Sequence, residues 1–210
     1  MQIFPRSLNY LPLVAAVGVA LLGGGVTFGI WYYFSPKNTA IGYAPEQPVP
    51  YSHKLHAGDL GIDCRYCHAN IERSHEAMVP PTQACMGCHA VVKKDSPKLT
   101  AVRASWSSGN PVEWVRVHRL ADYVFFDHSV HLAAGVGCVS CHGRVDQMDV
   151  VRQDQPLNMG WCLECHRNPT PNLRPKDQIT NMTWTPTPDE AAQLAQSTLR
   201  GPEQCSGCHR

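Results

Sequence analysis

The sequence predicts a mainly irregular chain with short α-helices, carried on one N-terminal transmembrane helix. Three observations lead there. The ten cysteines fall without remainder into five Cys-x-x-Cys-His motifs. The run from Leu11 to Phe34, near the start, carries no charge. Between these features the chain is internally duplicated, the kind of repeat that sets an architecture before any single element does.

The apolar run exceeds the ~20 residues needed to cross a bilayer. Tyr10 stands at one end and Trp31, Tyr32 and Tyr33 at the other, as aromatic belts at the two interfaces require. Residues 1–35 are therefore expected to be a retained anchor. A cleaved leader is the rival, but its apolar region usually spans only ~7–15 residues. The small-x-small triplet Ala40-Ile41-Gly42 lies well past the run. Ala16, Ala20 and Gly24, with Gly25 and Gly29, give the helix small faces that suit a partner helix in lipid. Residues 36–50 hold Pro36, Pro45, Pro48 and Pro50 and read as an extended tether.

Residues 51–210 carry the chemistry. The first copy of the repeat places His53 and His56 ahead of Cys64-Arg-Tyr-Cys67-His68. The second places His128 and His131 ahead of Cys138-Val-Ser-Cys141-His142. Each copy continues into a further motif, Cys85-Met-Gly-Cys88-His89 and Cys162-Leu-Glu-Cys165-His166. The modules span 51–90 and 123–168, and Cys205-Ser-Gly-Cys208-His209 closes the chain at 205–209.

Cys-x-x-Cys-His is the attachment signature of c-type haem: two thiols bond the porphyrin and the adjacent histidine becomes the proximal iron ligand. Five such motifs predict five covalently bound haem c groups. Structural zinc is one rival, yet a tetrahedral site built from two cysteine pairs needs no histidine after every pair. A disulfide framework is the other, and this spacing rarely staples a fold.

Six histidines lie outside the motifs: His53, His56, His75, His118, His128 and His131. Histidines three apart leave a helix in nearly the same direction, so the repeat pairs are the first candidates for distal ligands. His118 follows, set among Trp114, Val115, Val117 and Leu120, where an unpaired imidazole is costly to bury. A hydrogen-bonded core histidine is its plainer reading. His75, flanked by Arg73, Ser74 and Glu76, reads as solvated and is a reserve, as are Met148 and Met182. A methionine ligand raises a haem's potential, although most methionines simply fill cores.

Porphyrins in place of a core explain an aromatic fraction of only 8% beside 17 prolines. The formal charge is +1, and haem propionates shift a loaded chain to the acidic side. Nothing points to nucleic acid. Residues 91–110 read as a polar insertion with Lys93, Lys94, Lys98 and Arg103, a solvated loop before a docking surface. Asn110-Pro111-Val112-Glu113 predicts a short helix with Trp114 and His118 on one face. Thr187-Pro188-Asp189-Glu190 predicts a capping box and a helix through about Leu199.

With ligands enough to fill every sixth position, the chain reads as an electron conductor. It carries no Ser/His/Asp set and no phosphate loop. The stretches Val-His-Arg-Leu-Ala-Asp-Tyr-Val-Phe-Phe-Asp-His-Ser-Val-His (117–131), Gly-Val-Gly-Cys-Val-Ser-Cys-His-Gly-Arg-Val-Asp (135–146) and Pro-Leu-Asn-Met-Gly-Trp-Cys-Leu-Glu-Cys-His-Arg-Asn-Pro (156–169) resemble the pentahaem cytochrome c subunit of alternative complex III. The repeat units resemble class III multihaem cytochromes more broadly. The resemblance implies a bacterial membrane complex that oxidises quinol. It also implies partners: an iron–sulfur protein, polytopic quinol-binding subunits and a monohaem cytochrome c. His53, His56, His118, His128 and His131 carry over as its distal ligands. Because c-type attachment is extracytoplasmic, the haem domain is expected outside the cytoplasm on a single-pass anchor. The alternatives are a stand-alone membrane-anchored quinol dehydrogenase feeding a soluble reductase, and a multihaem reductase with an open iron.

Overall fold

The computed structural model describes residues 5–35 and 40–209, so the start of the expected tether, with Pro36 and Lys37, lies outside them. The chain divides into two units, Met1–Ile41 and Gly42–Arg210.

In the first unit a 3-10 turn, Arg6–Tyr10, leads into α1, Leu11–Tyr33. Pro12 falls in the first turn, where its missing N–H is not needed. At 1.5 Å per residue the helix is about 35 Å long, longer than the ~30 Å hydrocarbon layer. Added methyls at Gly18, Gly23, Gly24, Gly25 and Gly29 would meet nothing within 4 Å. The helix is apolar on every face, and it is long and apolar enough to cross a membrane.

The second unit is built from short helices and irregular segments, as expected. Its helices are α2 (Cys64–Cys67), α3 (Thr82–His89), α4 (Thr100–Ser108), α5 (His128–Ala133), α6 (Val139–His142), α7 (Met159–Arg167), α8 (Pro188–Ala195) and α9 (Cys205–Cys208). Among the described residues there is no sheet, only two isolated antiparallel bridges, Val124 with His209 and Val136 with Leu173.

The apolar core is small: Val49, Val102, Leu132, Met148, Leu173 and Ile179 are its buried hydrophobic members. The accessible surface is 14792 Å², against about 9700 Å² for a compact monomer of this mass. The exposed α1 accounts for part of the excess. In the second unit Leu60, Tyr66, Val79, Val130 and Met159 are exposed.

Three expectations are corrected. No helix forms at 110–120. The Gln47 side chain instead donates to the Val115 carbonyl at 2.8 Å and accepts the Val115 N–H at 2.9 Å. That amide satisfies the backbone from a residue 68 positions away, and the segment stays extended. The supposed polar insertion holds α4, ended by Gly109 at φ 74°. The capping box at Thr187 and Glu190 is present, but α8 stops at Ala195, short of Leu199. There Ser197 Oγ accepts the Leu199 N–H at 3.2 Å, a local bond that competes with the helix.

Candidate haem-binding sites

Each copy of the repeat opens with an aromatic side chain two residues ahead of its first histidine. Tyr51 meets His53 edge-on at 4.8 Å and lies along His56 at 4.5 Å. Phe126 meets His128 edge-on at 4.7 Å and lies along His131 at 4.5 Å. One ring thus fixes both histidines of a pair. Reading for ligands alone passes over Tyr51 and Phe126, although their place two residues before a histidine is visible in both copies.

The backbone beneath the pairs differs. From His131 to Cys138 is one residue shorter than from His56 to Cys64. The longer copy takes up its extra residue in a π-turn, Lys54–Asp59, where the Leu60 N–H reaches back to the Leu55 carbonyl at 3.0 Å. The shorter copy forms the ordinary helix α5, capped by Asp127, which accepts the Ser129 N–H at 2.8 Å.

Two imidazole nitrogens on one metal lie about 4 Å apart, which places their ring centres about 6 Å apart. His56 and His89 have ring centres 6.2 Å apart, His131 and His166 6.1 Å, and His128 and His142 6.4 Å. In both modules, then, the second histidine of the pair faces the second motif. His118 meets His142 edge-on at 4.6 Å, too close for a metal between the ring centres. Among the described residues no three His, Cys, Asp or Glu side chains converge as a closed zinc site requires. None of the ten cysteines is in a disulfide.

The imidazoles are also oriented. Nδ1–H donates to a backbone carbonyl in His56 (Ser52, 2.9 Å), His68 (Met78, 2.7 Å), His89 (Val92, 2.9 Å) and His128 (His75, 2.8 Å). It does so again in His131 (Asp127, 2.7 Å), His166 (Pro202, 2.7 Å) and His209 (Tyr123, 3.2 Å). A carbonyl only accepts, so the proton sits on Nδ1 and Nε2 keeps its lone pair for a metal. Burial pushes the His53 imidazole down to about 4, with His68 the first of the neighbouring imidazoles that add to it. Burial likewise lowers His142 to about 3, and lowers His118 and His131. All four are held neutral, the ligating form. His53 Nδ1 and His118 Nε2 are buried with no hydrogen-bond partner, which a polypeptide complete in itself would rarely leave. These features fit haem.

The His75 side chain is exposed beside Glu76, and its ring is parallel to that of Phe125 at 6.3 Å. Its contribution to the cluster is its carbonyl, which takes both the N–H and Nδ1–H of His128 at 3.1 and 2.8 Å. Met148 is a buried core residue and Met182 is half-buried.

The thiols place the motifs in a row. Cys67 is pushed up by burial and then by Cys85, with Cys88 also nearby, joining the second motif to the first. The Cys64 and Cys138 thiols hydrogen-bond, joining first to third. Thr180 strengthens that junction: its hydroxyl donates to Asp63 at 2.7 Å while the neighbouring Ile179 carbonyl takes the Cys138 N–H at 3.1 Å. Burial pushes Cys141 up to about 12, helped by Cys165 and Cys162, joining third to fourth. Cys162 neighbours Cys208, and the fourth and fifth motifs are tied by an Arg167–Glu203 ion pair at 2.9 Å. The spatial order is second, first, third, fourth, fifth, which the order along the chain does not give.

Comparison with known proteins gives the family. Residues 124–210 match the family described as cytochrome c7 and related cytochrome c, and residues 34–111 match the class III cytochrome c family. The menaquinone reductase multihaem cytochrome c subunit of Nitratidesulfovibrio vulgaris is 31% identical over 146 residues, covering 59% of this chain and 69% of that one. These families carry covalent haem c on the paired thiols. The chain belongs to the multihaem cytochromes c of the class III and c7-related type.

Proposed function

We propose that the chain is a membrane-anchored pentahaem cytochrome c that relays electrons within a quinol-oxidising complex of the alternative complex III kind, towards an extracytoplasmic acceptor. The observation that carries this reading is the pairing of imidazoles at a separation one metal spans, with the Nδ1 protons of His56, His89, His128, His131 and His166 committed to backbone carbonyls. Haem supplies an iron that gains and loses one electron. What this polypeptide adds is fixity. Cys64, Cys67, Cys85, Cys88, Cys138, Cys141, Cys162, Cys165, Cys205 and Cys208 anchor the groups, and His68, His89, His142, His166 and His209 are the proximal ligands.

His56, His131 and His128 serve the second, fourth and third haems, and His53 serves the first by analogy with His128. His118 is a ligand by resemblance, and it lies against His142 of the third motif at 4.6 Å. Ligands held by carbonyls do not move when charge changes, which keeps reorganisation small. The relative's name attaches it to menaquinone, which supports a quinone-linked complex here too. A single-pass anchor at 1–35, with 51–210 outside the cytoplasm, follows from the length of α1 and from where c-type haem is attached.

The test is a mild-detergent extract, assayed for copurifying subunits, haem content and spin state. A relay predicts five low-spin haems, large membrane partners and no quinol oxidation by the isolated chain. Quinol oxidation by the isolated chain favours the stand-alone dehydrogenase. A high-spin haem favours a reductase.

A further inference from the structure

Arg174 is the one charged side chain buried among the described residues, at 9% exposure. A buried cation ordinarily has a carboxylate beside it. Among the described residues none pairs with Arg174; the arginine ion pairs belong to Arg65, Arg144 and Arg167. Arg174 Nη1 donates to the Asn181 and Gln178 carbonyls at 2.7 and 3.4 Å. The guanidinium lies over the Trp184 ring, 5.3 Å from its centroid. Arg174 Nε–H is buried with no acceptor.

The fold makes room for this group. A methyl at Gly137 would run into Arg174 Nε, and one at Gly135 would stand 2.9 Å from the Arg174 carbonyl. The two strands of chain are pinned together. The Arg174 N–H donates to the Gly135 carbonyl at 2.9 Å, the Gly137 N–H donates to the Asn172 carbonyl at 3.2 Å, and Val136 bridges Leu173. Gly137 immediately precedes Cys138, so the guanidinium is packed on the backbone of the third attachment motif. At the matching place before Cys64 the first copy has Asp63, whose carboxylate faces Arg65 and Thr180. The copies therefore set charges of opposite sign ahead of their first attachment cysteine.

For packing alone, an apolar side chain would fill the place of Arg174 at less cost. A cation with no counter-ion and a donor to spare suits a neighbour that is negative and absent from the polypeptide. Haem brings carboxylates, and its iron–porphyrin unit becomes more negative by one charge on reduction.

We propose that Arg174 is a built-in positive charge for the haem carried on Cys138 and Cys141, and that it favours the ferrous state of that haem. The inference rests on the relay reading and deepens it, by giving one station of the relay a raised potential. A unit charge roughly 12 Å away, at an effective dielectric constant of about 20, shifts a one-electron equilibrium by about tenfold.

The test is an electrochemical titration of the full haem-loaded chain in detergent, with the absorption spectrum read at each applied potential. In Arg174→Gln one haem becomes harder to reduce. Its ferrous-to-ferric ratio at a fixed potential falls by about tenfold, equivalent to about 59 mV, and the other haems move less. Arg174→Lys keeps the charge and retains most of the parent potential. Asn181→Asp is nearly isosteric, is confined to an exposed side chain and brings a carboxylate towards the guanidinium. It lowers the potential of the same haem by a smaller amount, which shrinks as salt rises. Unchanged potentials in Arg174→Gln, with or without a fall in melting temperature, overturn the proposal, as does an equal drop in Arg174→Lys. If Arg174→Gln fails to fold, unchanged potentials in Asn181→Asp overturn it instead. Haem content and the low-spin spectrum of the parent chain report on the relay reading separately.

Discussion

The two copies of the repeat reach the same histidine geometry over different backbones. In the first, the segment that carries the pair is a π-turn; in the second it is an α-helix. The aromatic ring ahead of each pair nevertheless meets its histidines at nearly the same distances, 4.8 and 4.5 Å in the first copy and 4.7 and 4.5 Å in the second. An extra residue has been absorbed where it does no harm, below the pair and away from the ring that positions it. What the fold conserves between its halves is the direction of imidazole nitrogens, and the backbone bends to suit. The copies differ in one further respect. His128 Nδ1 is held by the His75 carbonyl, while its counterpart His53 Nδ1 is buried without a partner.

The largest test of this equivalence removes a ligand from each copy. His56→Ala and His131→Ala should each convert one low-spin haem to a high-spin, carbon monoxide-binding one, with matching changes in the absorption and EPR spectra. A change in one variant alone would break the symmetry of the modules. Next come the positioning rings. Tyr51→Ala and Phe126→Ala should each destabilise by about 3 kcal/mol through the cavity left beside two imidazoles. Equal falls in melting temperature would support a shared role.

A smaller effect separates the copies. Gly58 lies where the second copy has Ala133, and a methyl group there would run into the Asp146 carbonyl. Gly58→Ala should cost about 1–3 kcal/mol, while Ala133→Gly costs about 1 kcal/mol through helix propensity alone. The smallest effect is acid-dependent. Hydrogen bonds from Arg65, with Thr180 helping, hold the Asp63 carboxyl down near 2 against an ordinary 3.8. The folded state therefore binds the proton less readily than the unfolded one. The stabilisation is complete above about pH 4 and is lost as pH falls towards 2. It is modest because the side chain is 43% exposed. The second copy has Gly137 at that place, so Asp63→Asn should flatten the pH dependence of melting between pH 4 and 2.

The sequence by itself determined the chemistry. Five Cys-x-x-Cys-His motifs with no stray cysteine leave haem attachment as the reading, and an uncharged stretch over 11–34 gives a helix long and apolar enough to cross a membrane. Both are local, because spacing over a short stretch decides what can bond and what can lie in lipid. The repeat was equally legible, and with it four of the six spare histidines as the leading ligand candidates. Only the tertiary structure decided which imidazoles face each other, that the chain order of the motifs is not their order in space, and that Gln47 keeps residues 110–120 from becoming a helix. Those outcomes depend on groups far apart in the chain meeting, and no local spacing encodes such a meeting in a domain whose polypeptide core is only a handful of side chains.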